Sequence, residues 1–141
     1  MIQNWPEPEV VATATALRDV DTELLVVPVL EGVNDAVPDE LDKATGGELG
    51  RARSRGEFGP RPNELFLTPI VDGAWKARRV ALLGAGSGGE GVLRRLRSAA
   101  ATLSIEARRR RIGDMALVVS GMSPADLVGQ ALTEGVLMGG F

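Results

Sequence analysis

The residues with the most legible chemistry are Gly84-Ala85-Gly86-Ser87-Gly88-Gly89, which match the pattern Gly-x-Gly-x-x-Gly. In a dinucleotide-binding unit that spacing sits between a strand and a helix. The glycines allow a tight turn and bring backbone amides at a helix N-terminus against a pyrophosphate. Here a strand-like run precedes the motif and a strongly amphipathic helix follows, so the local context fits. The acid that should meet the ribose does not. It belongs near the end of the next strand, where Val118-Val119-Ser120-Gly121 carries none, and Glu106 falls inside the helix. The motif also lies past the middle of a short chain, not at its start. These residues favour a glycine-rich turn with incidental anion affinity, at Gly84, Gly86, Ser87, Gly88 and Gly89, over a dinucleotide site.

Other chemistries are poorly equipped. The chain has no His and no Cys. No side chain therefore titrates near neutrality unless its surroundings push it there, and there is no thiolate nucleophile or soft metal ligand. Ser87 and Ser123 have no imidazole to activate them, and Ser123 is placed to cap a helix. The acids are scattered: Asp19, Asp21 and Glu23 precede a strand, while Asp39, Glu40 and Asp42 open a helix, where the helix N-terminus stabilises them without a metal. No calcium-loop or His-Glu-x-x-His pattern occurs. The expectation is no catalytic residue and no metal site in this chain.

The run Arg108-Arg109-Arg110-Arg111 raises a nucleic-acid reading. It ends a helix, where cations favour the negative end of the dipole, and Arg94, Arg95 and Arg97 lie on that helix's polar side. No aromatic residue interleaves to stack bases, and the formal net charge is −3. A solvated helix face is the preferred reading, with no nucleic-acid partner. No apolar run approaches the ~18 residues of a membrane span, and the Pro- and Glu-rich start is unlike a signal peptide. A cytoplasmic protein without a membrane partner is expected.

The 141 residues, 44% hydrophobic and only 4% aromatic, suit one domain with an aliphatic core. Residues 10–17 alternate with period two and favour a strand. Residues 24–30 form a continuous apolar run, as expected of a strand covered on both faces, with Pro28 at a bulge or near its end. Residues 39–53 start as a helix weakened by Gly46, Gly47 and Gly50. Residues 54–63 form a loop. Two strand-like runs, 64–71 and 75–83, flank Asp72-Gly73, which predicts an antiparallel hairpin with a tight turn.

Val92, Leu93, Leu96, Ala99, Ala100, Leu103 and Ala107 recur at three and four, marking the best helix in the chain. Residues 115–119 read as a short buried strand. A last helix follows, with Ser123 as cap, Pro124 at its first position, and a stripe of Leu127, Val128, Ala131, Leu132, Gly135 and Val136. About five strands and three helices, with a hairpin among α/β units, predict an α/β fold in which a mixed sheet is covered by helices. The closing segment reads as a connection toward a further domain.

Taken in order, these segments resemble the N-terminal domain of the leucyl (cytosol) aminopeptidase family of metallopeptidases. The likeness rests on the strand ending in Glu31-Gly32, on Leu41-Asp42 leading to Gly47-Glu48-Leu49, and on Gly56-Glu57-Phe58. It continues through the strand from Arg79 to Gly86 and the closing Glu134-Gly135-Val136-Leu137 with terminal Phe141. The family has a Leu-Gly pair after the equivalent of Gly84, followed by Lys; this chain has Ala85-Gly86 and then Ser87.

The resemblance implies a macro-domain-like three-layer sandwich forming a single front domain over residues 1–141. It also implies a catalytic domain elsewhere, with two divalent metals (zinc or manganese) held by Lys, Asp and Glu and an Asn-Thr-Asp-Ala-Glu-Gly-Arg segment. That segment is not in this sequence. The implied partners are the chain's own catalytic domain and sister subunits of a hexamer, and no cofactor is implied within this chain. An alternative remains open: a stand-alone macro-like domain binding ADP-ribose or a related nucleotide near residues 84–91. The exposed surface for a partner is expected around Val136, Leu137, Met138 and Phe141.

Overall fold

The computed structural model describes residues 8–11, 16–32, 38–119, 122 and 124–141. Five strands form one mixed sheet: β1 (Glu9–Val11), β2 (Leu24–Glu31), β3 (Leu65–Pro69), β4 (Arg79–Ser87) and β5 (Ala116–Val118), in the order β1-β5-β2-β4-β3. The pairs β1/β5, β5/β2 and β2/β4 are parallel, and β3 is antiparallel to β4. Four α-helices cover the sheet: α1 (Asp39–Ala44), α2 (Glu48–Ser54), α3 (Val92–Arg109) and α4 (Ala125–Met138). A 3-10 turn occupies Leu17–Asp19.

Alternation along the strands builds two hydrophobic cores, one on each face of the sheet. Leu24, Val26 and Leu30 of β2, Ala81, Leu83 and Ala85 of β4, and Leu117 of β5 face α3 and α4. Leu25, Val29, Val80, Leu82, Ala116 and Val118 point the other way, against Leu41, Ala44, Leu49 and Ala52 of α1 and α2 and against Phe58 and Trp75. With one core on each face, β2 is buried throughout except at Val27, which is half-buried, and at Glu31. This is the three-layer arrangement expected for a strand whose side chains are apolar in both directions. The ladder shifts register between Val29 and Glu31, next to Pro28, which cannot donate to it.

The long stripe in α3 does what its spacing predicts. Leu96, Ala99, Ala100, Leu103 and Ala107 are fully buried, while Val92 and Leu93 pack half-buried at the start. On α4 the stripe is buried from Val128 to Val136, whereas Leu127 is exposed. Small residues set the distance between these two helices. A Cβ at Gly135 would lie 2.2 Å from the Arg97 carbonyl oxygen and 2.7 Å from Ala100 Cβ, so the helices meet where no side chain could fit.

Several expectations are corrected. The helix expected over 39–53 is two short helices, broken where Gly46 and Gly47 take φ of +71° and +84°. Asp42 then caps the second of them, its Oδ1 accepting the Gly50 N–H at 2.8 Å. The antiparallel pairing of β3 with β4 is observed, and Asp72-Gly73 lies in a tight turn closed by the Trp75 N–H on the Asp72 carbonyl at 3.1 Å, but the strands do not run up to that turn. Residues 70–78 form the connection, and Gly73 is not among the residues with positive φ.

Lys76 and Arg78 donate their N–H groups to the carbonyls of Arg18 and Thr22, while the Arg78 carbonyl accepts the Ile70 N–H at 2.9 Å, and Trp75 and Ala77 are buried in the second core. Of the strand read over 10–17, residues 10 and 11 lie in β1; residues 12–15 lie outside the described set, and Leu17 begins the 3-10 turn. Pro124 is the N-cap of α4, not its first helical residue, and Ser123 lies outside the described residues.

Candidate functional site

The carboxyl ends of β2, β4 and β5 converge on a crevice of about 220 Å³, lined by Leu30, Gly88, Gly89, Val92, Met122 and Val128 among others. It opens between the beginnings of α3 and α4, the place where open α/β sheets accept ligands. Its described lining side chains are aliphatic or thioether. A shallower groove of about 340 Å³ runs along Val10 and α4 at the sheet edge, away from the strand ends.

The six-residue glycine motif is split by the structure. Gly84, Ala85, Gly86 and Ser87 belong to β4, and only Gly88 and Gly89 reach the turn that leads to α3. Gly84 and Gly86 serve the segment 59–64, which crosses them. The Gly84 N–H donates to the Glu64 carbonyl at 2.8 Å, and the Gly86 N–H donates to the Pro60 carbonyl at 2.7 Å. A Cβ on Gly84 would stand 2.2 Å from the Arg61 carbonyl oxygen. Both amides are therefore committed inside the protein. Of the five residues picked out for anion binding, Gly88 and Gly89 line the crevice, and Ser87 is exposed beside them.

Arg95 holds the turn from the helix side. Its Nε donates to the Ala85 carbonyl at 2.9 Å, Nη1 to the Glu90 carbonyl at 3.1 Å, and Nη2 to the Ser87 carbonyl. A planar guanidinium with five donors suits three carbonyls that converge in this way. Sequence reading places Arg95 on a solvated polar face; the structure folds it back into the turn, a role that only the path of 85–90 reveals.

On the other side, Arg61 and Glu64 clasp the crossing segment. Arg61 Nε and Nη2 reach the two carboxylate oxygens at 2.7 and 3.0 Å, and Glu64 Oε2 also accepts the Gly59 N–H at 3.1 Å. The hydrogen bonds from Arg61 hold the Glu64 carboxyl below its ordinary range, against a smaller opposing effect of burial.

Three of the four arginines in the run at the end of α3 have local partners. Arg108 donates to the Gly139 carbonyl at 3.3 Å, Arg110 pairs with Glu106 at 3.0 Å, and Arg109 approaches the same carboxylate at 3.7 Å. Arg97 bridges to Glu134 on α4 at 3.2 Å. Among the described residues no group of three or more His, Cys, Asp or Glu is arranged to hold a metal ion. Nor is any described helix long and apolar enough to cross a membrane. The expected partner patch is narrower than its sequence suggested. Val136 is buried and Phe141 packs half-buried on the core, which leaves Leu137 and Met138 exposed at 54% and 70%.

A mixed five-stranded sheet between helical layers, with a crevice at its strand ends, is a macro-domain-like α/β fold. The sequence model of the cytosol aminopeptidase family, N-terminal domain, matches residues 26–141. The chain belongs to that family.

Among solved structures, a mutant of tomato leucine aminopeptidase is similar over 100% of this chain and 30% of its own, with a TM-score of 0.68 and 18% identity. The macrodomain of Mycobacterium tuberculosis DarG is similar over 92% of this chain and 91% of its own, with a TM-score of 0.65 and 14% identity. The bottromycin maturation enzyme BotP is similar over 85% of this chain and 23% of its own, with a TM-score of 0.59 and 22% identity. At these identities the likeness is one of fold. No curated protein sequence matches the chain. The chain thus spans 30% of the tomato enzyme's length and 91% of the DarG macrodomain's.

Proposed function

We propose that this chain is the non-catalytic front domain of a leucyl aminopeptidase-like metallo-exopeptidase, a domain that serves assembly and not chemistry. In this reading the parent protein is cytoplasmic and releases N-terminal amino acids from peptides. Its two divalent metals, zinc or manganese, sit in a second domain. The observation that carries the reading is the family match over residues 26–141, which is specific to the N-terminal domain. The likeness of the whole chain to under a third of tomato leucine aminopeptidase supports it.

The partners are then the catalytic domain and sister subunits of a hexamer. Leu137 and Met138, exposed at the end of α4, are the apolar side chains offered for contact. The test combines turnover with assembly. The pure chain, given zinc or manganese, should not hydrolyse a leucine chromogenic amide, because water activation needs a metal held in an open site. Light scattering over a hundredfold concentration range should show a monomer or a weak dimer. Metal-dependent turnover, or a hexamer that persists on dilution, would overturn the reading.

A second reading is favoured by the crevice at the strand ends and by the likeness to the DarG macrodomain. Here the chain binds ADP-ribose or a related nucleotide, with an anion at Ser87, Gly88 and Gly89. Calorimetry with ADP-ribose and NAD separates the two. Micromolar ADP-ribose affinity, lost when Gly89 is replaced by Trp, would promote this alternative; millimolar or weaker binding of both ligands supports the front-domain reading.

A further inference from the structure

We draw no further inference here: the strongest candidate, the apolar crevice at the carboxyl ends of β2, β4 and β5 between the starts of α3 and α4, belongs to the site already described, and nothing in the structure shows what covers it.

Discussion

Glu23 and Asp114 each cap the other's backbone. Glu23 Oε2 accepts the N–H groups of Gly113 and Asp114 at 2.6 and 3.0 Å, while Asp114 Oδ1 accepts the N–H of Glu23 at 2.7 Å. Asp114 Oδ1 also accepts the hydroxyl of buried Thr22 at 2.7 Å. The two residues lie 91 apart in sequence and stand at the entrances of β2 and β5. Each carboxylate is aimed at amide donors of the other segment. The clasp holds these strands in the register that pairs Leu25 with Ala116. Asp114→Ala should destabilise the protein by about 1–3 kcal/mol, since hydrogen bonds to a charged acceptor are among the stronger ones. A double-mutant cycle with Glu23→Ala, read by urea denaturation, should show a coupling of at least about 0.5 kcal/mol. Strict additivity would mean that the two caps act independently.

Gly135 offers a sharper contrast, because two physical effects oppose each other there. In an open helix interior, Gly→Ala gains about 1 kcal/mol from propensity. At Gly135 the new methyl would sit 2.2 Å from the Arg97 carbonyl oxygen, a backbone atom that cannot swing aside. Overlap wins, and Gly135→Ala should destabilise by about 1–3 kcal/mol through forced separation of α3 and α4. Gly73→Ala is the control, since nothing lies within 4 Å of its added Cβ. Thermal denaturation of the two variants decides the point; a higher melting temperature for Gly135→Ala would contradict the observed packing.

Arg95 should matter to the glycine-rich turn more than to the fold. Removing its guanidinium in Arg95→Ala leaves the carbonyls of Ala85, Ser87 and Glu90 without that donor. Amide exchange at Gly88, Gly89 and Gly91 should then accelerate at least about tenfold, corresponding to about 1.4 kcal/mol of local opening. Arg95→Lys should rescue little, because a single ammonium cannot reach three carbonyls in a planar fork. Unchanged exchange in Arg95→Ala would show that the turn is held by other contacts.

The clasp between Arg61 and Glu64 carries a pH signature. The carboxyl of Glu64 is lowered from its ordinary value of 4.5, chiefly by the hydrogen bonds from Arg61. A depressed carboxyl contributes stability that is complete above its ordinary value and is lost as the pH falls through the lower folded value. The stability difference between the wild type and Glu64→Gln should therefore be flat from pH 7 to about 5 and shrink once the pH falls below the ordinary value of 4.5. Chemical denaturation across that range measures it. A difference that grows on acidification would reverse the assigned sign.

Wherever neighbours along the chain settle a structure, it was legible from the sequence. The stripe from Leu96 to Ala107 has the period of a helix with one apolar face. The run from Leu24 to Leu30 has no period, but its shortness and its valines fit a strand covered on both faces. The resemblance to the family rested on particular segments, among them Glu31-Gly32, Gly56-Glu57-Phe58 and the closing Glu134-Gly135-Val136-Leu137, and the family match over residues 26–141 agrees with it.

What local pattern could not decide was where distant segments meet. Asp72-Gly73 has the composition of a tight turn and forms one, yet the paired strands stop short of it, and Lys76 and Arg78 donate instead to Arg18 and Thr22, more than fifty positions earlier. The glycine motif matches a phosphate-binding spacing, yet Gly84 and Gly86 are small because the segment 59–64 lies across them. Arg95 has the sequence position of a solvated residue, and the carbonyls that capture it converge only when the turn folds. Periodicity acts between residues a few positions apart, so a single sequence displays it. Steric exclusion and hydrogen-bond partnership between remote segments exist only after the chain has closed on itself, so the tertiary structure alone determines them.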